Sequence, residues 1–297
     1  MEKSVKFVEE NLKQDLSPDI IAAYIGYSTF HYCRIFLACY GMTVMEYVRR
    51  RRLSLAGREI YNGAKVVDIA MKYGFETASG FSKAFRRHFN CSPREYKGEI
   101  FHIDTLSECG DEYSFVNKET LIKYMRIEKR DSFLAAGYAY KASSKNAVST
   151  KDIAALWDTV DMEGIETQLY QELNPSRHGE IGIYLPNQNG NPHYLLGLIV
   201  DDFKKVKKSM ETLEVPAATY AVFTTPPINT KNNPHGFAHI IKATWKSIFE
   251  NYFDDNSEYT YDFDKLDFEF YDERSHHEID PVMEMWVPVK KNDNIYK

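Results

Sequence analysis

Apolar positions recur at helical spacing over the first hundred residues. From residue 124 onward they shift to short runs and strict alternation. Ile20, Ile21 and Ile25 recur at helical spacing, as do Val66, Val67 and Ala70. Pro18 suits the first turn of a helix, with Ser17 before it as N-cap. Gly26 and Gly74 lie four residues after the small Ala22 and Ala70, where a tight turn needs positive φ. Ser28-Thr29 and Glu76-Thr77 can then cap a second helix that carries Phe36 or Phe85 inward. Between the two hairpins, Val44 to Tyr61 reads as one long helix, stopped by Asn62-Gly63.

The two hairpins are copies. Ile21-Ala22-Ala23-Tyr24-Ile25-Gly26-Tyr27 aligns with Ile69-Ala70-Met71-Lys72-Tyr73-Gly74-Phe75. After one inserted residue Arg34 aligns with Lys83, Phe36 with Phe85, Tyr40 with Phe89 and Tyr47 with Tyr96. One helix-turn-helix unit has been used twice. A long helix between the copies would hold both second helices at a fixed separation, suited to successive major-groove segments about 34 Å apart.

In the back half the short runs are Met125–Glu128, Leu134–Tyr140, Ile181–Leu185, Tyr194–Val200, Thr219–Thr224, Leu266–Tyr271 and Met283–Val289. Two amphipathic helices separate them, Ile153–Thr167 and Ala238–Tyr252, each with a tryptophan, Trp157 and Trp245. Strand, helix, strand, strand thus occurs twice, and two such units can share one curved antiparallel sheet with both helices on one face. The fold class expected is multidomain: an all-α double helix-turn-helix domain followed by an α+β duplicated (βαββ)2 domain. The boundaries expected are residues 1–98, a linker over 99–121, and a second domain over 122–297.

Charge sharpens this division. Residues 1–98 carry 16 Lys and Arg against 10 Asp and Glu, a net of +6, whereas the remaining 199 residues net −12. A basic front and acidic back is the asymmetry of a chain in which one domain meets phosphates. With neither a signal-peptide core nor a long apolar span, a cytoplasmic location is expected. Cys33, Cys39, Cys91 and Cys109 lack paired spacing and read as reduced thiols. His276-His277-Glu278 reads as a polar turn, so no metal site and no cofactor are expected. Phosphate loops, Gly-x-Ser-x-Gly and His-Glu-x-x-His are all missing, and no catalytic residues are assigned.

Two carboxylates interrupt apolar strands: Glu269 between Phe268 and Phe270, and Glu284 between Met283 and Met285. Alternation places Glu269 on the face of Asp267 and Tyr271, and Glu284 on the face of Val282 and Trp286. On alternation alone those faces could line a pocket or meet solvent.

The stretch Asp68-Ile69-Ala70, Tyr73-Gly74-Phe75-Glu76, Phe81 to Phe89 and Ser92-Pro93-Arg94-Glu95-Tyr96 resembles the signature of the AraC/XylS family of DNA-binding transcription regulators. The resemblance implies that Phe30, Cys33 and Arg34 of the first recognition helix face DNA. In the second it implies Ala78, Ser79, Ser82 and Lys83. Arg34 is read on the outer face of its helix, and Arg86 and Arg87, which follow, suit phosphate contacts. Arg49 to Arg52 wrap round the long helix and read mainly as solvated or intramolecularly paired.

The back half is similar to the GyrI-like effector-binding domain. It is carried by Gly182-Ile183-Tyr184, Tyr220-Ala221-Val222-Phe223, Trp245-Lys246-Ser247-Ile248-Phe249, Phe268 to Asp272 and Met283 to Val289. Together the halves look like a Rob-type architecture. The resemblance implies that Glu269 and Glu284 line a pocket for an amphipathic small molecule, cations included, through charge and cation–π contacts. Tyr271, Trp286, Trp245, Trp157, Tyr184 and Tyr220 are candidate walls, each equally readable as core. The partners implied are promoter DNA, the effector and RNA polymerase. Two alternatives stand: a constitutive regulator whose second domain binds a protein, and a DNA-tethered hydrolase using Glu269 with Tyr271.

Overall fold

The computed structural model describes residues 1–98, 115–141, 164–185, 193–231, 233, 235–253, 258–277 and 279–292. It separates into two compact units: one takes Met1–Phe36 and the described residues from Met42 to 98, the other Leu37–Gly41 and the described residues from 115 onward.

The first unit is helical: α1 (Glu2–Glu10), α2 (Pro18–Ile25), α3 (Thr29–Tyr40), α4 (Val44–Tyr61), α5 (Val66–Lys72) and α6 (Ala78–Phe89). Its boundaries follow local chemistry. The Ser17 hydroxyl accepts from the Ile20 amide at 3.3 Å, with Pro18 at the first helical position. Gly26 and Gly74 end α2 and the α5 turn at φ +78° and +72°. The Thr77 hydroxyl accepts from the Gly80 amide at 3.0 Å to start α6. The second copy closes round Leu53 and Ala56 of α4, Ile69, Ala70 and Tyr73, and Phe81, Phe85, Phe89 and Tyr96. Most of the arginine run is engaged within the unit. Arg51 makes a two-pronged pair with Glu9 (2.8 Å each), Arg52 donates to the carbonyls of Leu12 and Gln14, and Arg50 pairs with Glu46. The Arg51 and Arg52 contacts tie α1 and the turn after it to α4, whereas the Arg50 pair lies within α4.

Among the described residues the second unit contains α7 (Lys118–Lys123) and nine strands: β1 (Met125–Arg130), β2 (Phe133–Lys141), β3 (Glu180–Leu185), β4 (His193–Val200), β5 (Glu211–Val215), β6 (Ala218–Thr224), β7 (Tyr259–Tyr261), β8 (Phe268–Tyr271) and β9 (Glu284–Lys291). Helix α8 (Ile165–Leu173) precedes β3. Helix α9 (Gly236–Ser247) runs into a π turn (Ile248–Tyr252), and a 3-10 helix (Glu273–His276) follows β8.

The strand order is β1-β6-β9-β8-β3-β4-β2-β5, antiparallel throughout, with β7 on β9. Exchanging the halves, β1 for β5, β2 for β6, β3 for β8 and β4 for β9, reproduces the same order reversed. The pseudo-two-fold therefore passes between β3 and β8.

This order forces curvature. β1 and β2 are joined by two residues, Asp131 and Ser132, yet stand six strand positions apart. In a flat sheet that separation is about 29 Å, against about 11 Å that the three-residue step can span. The sheet must curl until its two ends meet, and Pro216-Ala217 imposes the same closure on β5 and β6. Phe133 of β2 accordingly touches Phe268 of β8, with ring centroids 5.3 Å apart. The concave face holds Ile181, Ile183, Leu195, Val222, Phe268 and Trp286. The convex face is covered by the helices, α8 over Ala136, Leu198 and Val200 and α9 over Met285, Val287 and Phe223.

Several sequence expectations shift. Residues 118–121, assigned to the linker, begin a helix that runs to Lys123, with Leu121 buried in the core of the second unit. Strands β5 and β7 were not anticipated: β5 has only Leu213 and Val215 as apolar residues, and β7 spans three residues. The helix expected over 153–167 lies mostly outside the described residues, where α8 covers 165–173. Trp157, Cys109 and Glu278 also lie outside them.

Candidate DNA surface and effector site

In α6 the three phenylalanines four residues apart turn inward, so the opposite face is polar by construction. Ser79, Lys83, Arg86 and Arg87 are exposed there, Ala78 and Ser82 half-buried, and the Ser82 hydroxyl donates to the Ala78 carbonyl at 2.8 Å. The aligned positions of α3 behave differently. Phe30 and Cys33 are half-buried, and burial, joined by the charge of Asp19, pushes the Cys33 thiol up to about 11, so it stays neutral. Arg34 is only 7% exposed and engaged with other residues of the chain. Its placement on an outer face is therefore corrected. The helix Thr29–Tyr40 is apolar nearly all round and offers no polar stripe for Arg34 to occupy.

In the second unit the two strand carboxylates do not share a face. Register sets Glu269 opposite Met285 and Gly182, on the helix-covered side, and pairs Phe268 with Trp286 on the concave side. Glu284 lies on that concave side with Trp286. One pocket lined by both carboxylates is thus not formed, because their positions on adjacent strands differ in pleat.

Their surroundings also differ. Glu269 is 6% exposed and its carboxylate accepts three hydrogen bonds: Tyr194 hydroxyl at 2.6 Å, Trp245 indole N–H at 2.8 Å and Tyr271 hydroxyl at 3.1 Å. All three donors are neutral, and among the described residues no cation pairs with it. Burial, then the charge of Glu269, pushes both tyrosines well above their ordinary value, so they remain donors. Gly182 makes this possible. A Cβ there would lie 1.8 Å from the Tyr194 hydroxyl oxygen and 3.0 Å from a Glu269 carboxylate oxygen. Tyr184 stands edge-on to Tyr194 at 5.0 Å. Tyr271, Trp245 and Tyr184 thus gather at Glu269.

Glu284 is 5% exposed and fully met. Arg126 binds both its oxygens at 2.9 and 3.0 Å, Arg274 one at 2.9 Å, and the Trp286 indole donates at 3.1 Å. Burial pushes its carboxyl up, but the two guanidinium groups outweigh it and hold it below the ordinary carboxylate value. The aromatic wall beside it is filled by the chain's own cation. Arg130 lies 4.5 Å from the Phe133 ring centroid and 4.7 Å from that of Trp286, within 6 Å of Phe268 and Phe270. Tyr220 packs edge-on against Phe268 and Trp286 in the same core.

Sequence reasoning missed Tyr194 and Gly182 as parts of the site. A glycine inside an apolar strand is the available signal, since it marks close approach. His276, read as part of a polar turn, faces Glu180 at 3.2 Å.

Residues 21–99 match the family described as a helix-turn-helix domain, and residues 126–289, more than half the chain, match the integron-associated effector binding protein family. The chain is an AraC-type transcription regulator with an effector-binding domain. Over the first unit the regulator is 39% identical to the HTH-type transcriptional activator AarP of Providencia stuartii across 92 residues, 31% of this chain and 68% of that protein. It is 35% identical to the regulatory protein SoxS of Salmonella typhimurium across 97 residues, 32% of this chain and 91% of that one. Over the second unit it is similar in fold to the integron cassette protein VCH_CASS2 of Vibrio cholerae, at 12% identity and a TM-score of 0.35, covering 57% of this chain and 97% of that one. DNA binding and a small-molecule ligand follow from the two families. Among the described residues of the regulator no helix is long and apolar enough to cross a membrane.

Proposed function

We propose that the regulator senses an amphipathic organic cation at Glu269 and that the bound cation alters transcription from a promoter recognised mainly through α6. The observation that carries this is the contrast between two buried carboxylates. Glu284 is neutralised by two arginines, whereas Glu269 is held by three neutral donors. A charge buried with neutral hydrogen bonds alone is costly, and a cation lying against Tyr184, Tyr194, Tyr271 and Trp245 would offset it through charge and ring faces. On the concave side Arg126, Arg130 and Arg274 already occupy what Glu284, Trp286 and Tyr220 could offer, so the sensor site is confined to the helix-covered face.

At the DNA end, Lys83, Ser79, Arg86 and Arg87 supply the exposed polar face of α6, flanked by Ala78 and Ser82. Of the three α3 positions expected to face DNA, Phe30 and Cys33 remain half-buried and Arg34 is buried. Output follows if the cation prefers one conformation over another, whether the readout is DNA affinity or contact with RNA polymerase in the cytoplasm. Hydrolysis by Glu269 with Tyr271 has little support. The Tyr271 phenol, pushed well above its ordinary value, serves as one of three donors to the Glu269 carboxylate rather than as a proton-transfer group.

The test is calorimetric titration of the full chain with lipophilic quaternary cations, neutral isosteres and lipophilic anions, wild type beside Glu269→Gln. Saturable binding of cations alone, lost in the variant, is expected. Equal binding of neutral isosteres, or cation binding unchanged in Glu269→Gln, would sink the assignment and leave a protein ligand as the better account of the second domain.

A further inference from the structure

Near one end of β3, Glu166, His178, Glu180 and His276 bring one ligand atom each to within 4.8 Å of one another. They come from separate elements: the first turn of α8, the residues entering β3, and the 3-10 helix after β8. The His276 Nε2 lies 3.2 Å from one Glu180 oxygen and 3.9 Å from a Glu166 oxygen, and the His178 Nε2 lies 3.6 Å from the other Glu180 oxygen. We propose that these four residues form a binding site for a divalent first-row transition ion, zinc above all.

Three observations support the site. The first is spacing. With zinc–nitrogen and zinc–oxygen bonds near 2.0–2.2 Å, the edge of a tetrahedron of ligands is about 3.3 Å, which the observed separations approach with small side-chain adjustments. The second is the donor set. Two imidazoles and two carboxylates, without sulfur, suit zinc, cobalt or nickel, whereas magnesium and calcium favour all-oxygen shells. The third is the setting of Glu180, whose side chain is 3% exposed. Two carboxylates held this close repel one another, and a divalent ion between them reverses the sign of that interaction. Outer support is in place as well. The Tyr170 hydroxyl donates to Glu180 and accepts from the Gly179 amide at 2.9 Å, and the Tyr170 ring stacks on His178 at 5.0 Å. Such second contacts orient metal ligands. His178 and His276, at 35% and 42% exposed, leave the ion a route in from solvent.

A bound ion would join the two halves of the duplicated unit, linking α8 and β3 of one to the 3-10 helix of the other. Glu180 is the cross-strand partner of Tyr271, which donates to Glu269. The metal site and the effector site therefore sit one pleat apart on the same face. The metal assignment does not rest on the effector reading.

The experiment is zinc titration of chelator-treated full-length protein by calorimetry, repeated with cobalt to read the visible ligand-field band of a tetrahedral site. Expected are one ion per chain and binding that a chelator reverses. His178→Ala, His276→Ala and Glu166→Gln, all at exposed or half-buried positions, should each lower affinity at least tenfold and remove the cobalt band. Tyr170→Phe should lower affinity by roughly 10–100-fold, while His277→Ala, the neighbouring histidine, should bind as wild type. Thermal melts without metal check that the variants fold. Absence of saturable binding in the wild type overturns the site. So does binding that survives in the ligand variants, which would place the ion elsewhere and leave an imidazole–carboxylate ion-pair cluster.

Discussion

At the scale of single residues, what distinguishes Glu269 from Glu284 is the charge of their partners, and this has a consequence for acid stability. The Glu284 carboxyl is held below its ordinary value by Arg126 and Arg274 despite burial that pushes the other way. The unfolded chain therefore takes up this proton at an ordinary glutamate value near 4.3, and the folded chain only at lower pH. The stabilisation is complete above the unfolded-state value and is lost as pH falls through the folded-state value. Glu284→Gln should cost about 1.5–3 kcal/mol near neutrality, the range for hydrogen bonds to charged groups. Urea unfolding of wild type and variant between neutral pH and pH near 3 checks this, and the gap should narrow on acidification. A gap constant across that range would mean that the guanidinium pairs do not hold the carboxyl down. None of this was readable from sequence. Alternation placed each carboxylate on a face, but Arg126 reaches Glu284 from 158 positions earlier in the chain, a separation that no local pattern encodes.

At the scale of elements, the helical half was legible because its signals are local. Ser17-Pro18, the glycines at 26 and 74 and Asn62-Gly63 act within a turn of where they stand, and α4 spans Val44–Tyr61 as expected. Arg34 failed because exposure is not local: the repeat aligns it with the exposed Lys83, but the helix round it is apolar on most sides. In the sheet most runs were recognisable as strands, whereas their order, set by two-residue links closing a curled sheet, was not. The cost of that order falls on Gly182 of β3, where β4 and β8 deliver the Tyr194 hydroxyl and the Glu269 carboxylate to one spot. Gly182→Ala should destabilise the fold by about 1–3 kcal/mol through overpacking and weaken cation binding by displacing Tyr194. Adding Tyr194→Phe removes the atom nearest the new methyl group but leaves the ring carbon 2.6 Å from it, so the double variant should recover part of the stability lost in Gly182→Ala. Thermal or urea melts of the four proteins decide this. Strictly additive losses would mean that the clash is not relieved by removing the Tyr194 hydroxyl and lies with the ring carbon, 2.6 Å from the new methyl group, or with Glu269.

At the scale of the whole chain, a basic unit and an acidic unit divide the work, +6 over the first 98 residues and −12 over the rest. The phosphate contacts belong to the first, so DNA affinity should fall with salt in proportion to the Lys and Arg engaged, and Lys83→Ala should reduce that slope by about one. The second unit contributes through coupling, which thermodynamics constrains. If a cation at Glu269 changes promoter affinity by some factor, promoter DNA must change cation affinity by the same factor and in the same direction. Typical coupling of about 1–3 kcal/mol corresponds to roughly 5–150-fold. Two titrations of the full chain at one salt concentration, DNA with and without saturating cation and cation with and without saturating DNA, should therefore return equal ratios. Equal ratios different from one would establish a binding switch and give its sign. Ratios of one in both directions, with both ligands bound, would exclude promoter affinity as the readout. The effector would then have to act after binding, on how the DNA-bound regulator meets RNA polymerase, and transcription assays at saturating regulator would show an effector response that binding assays do not.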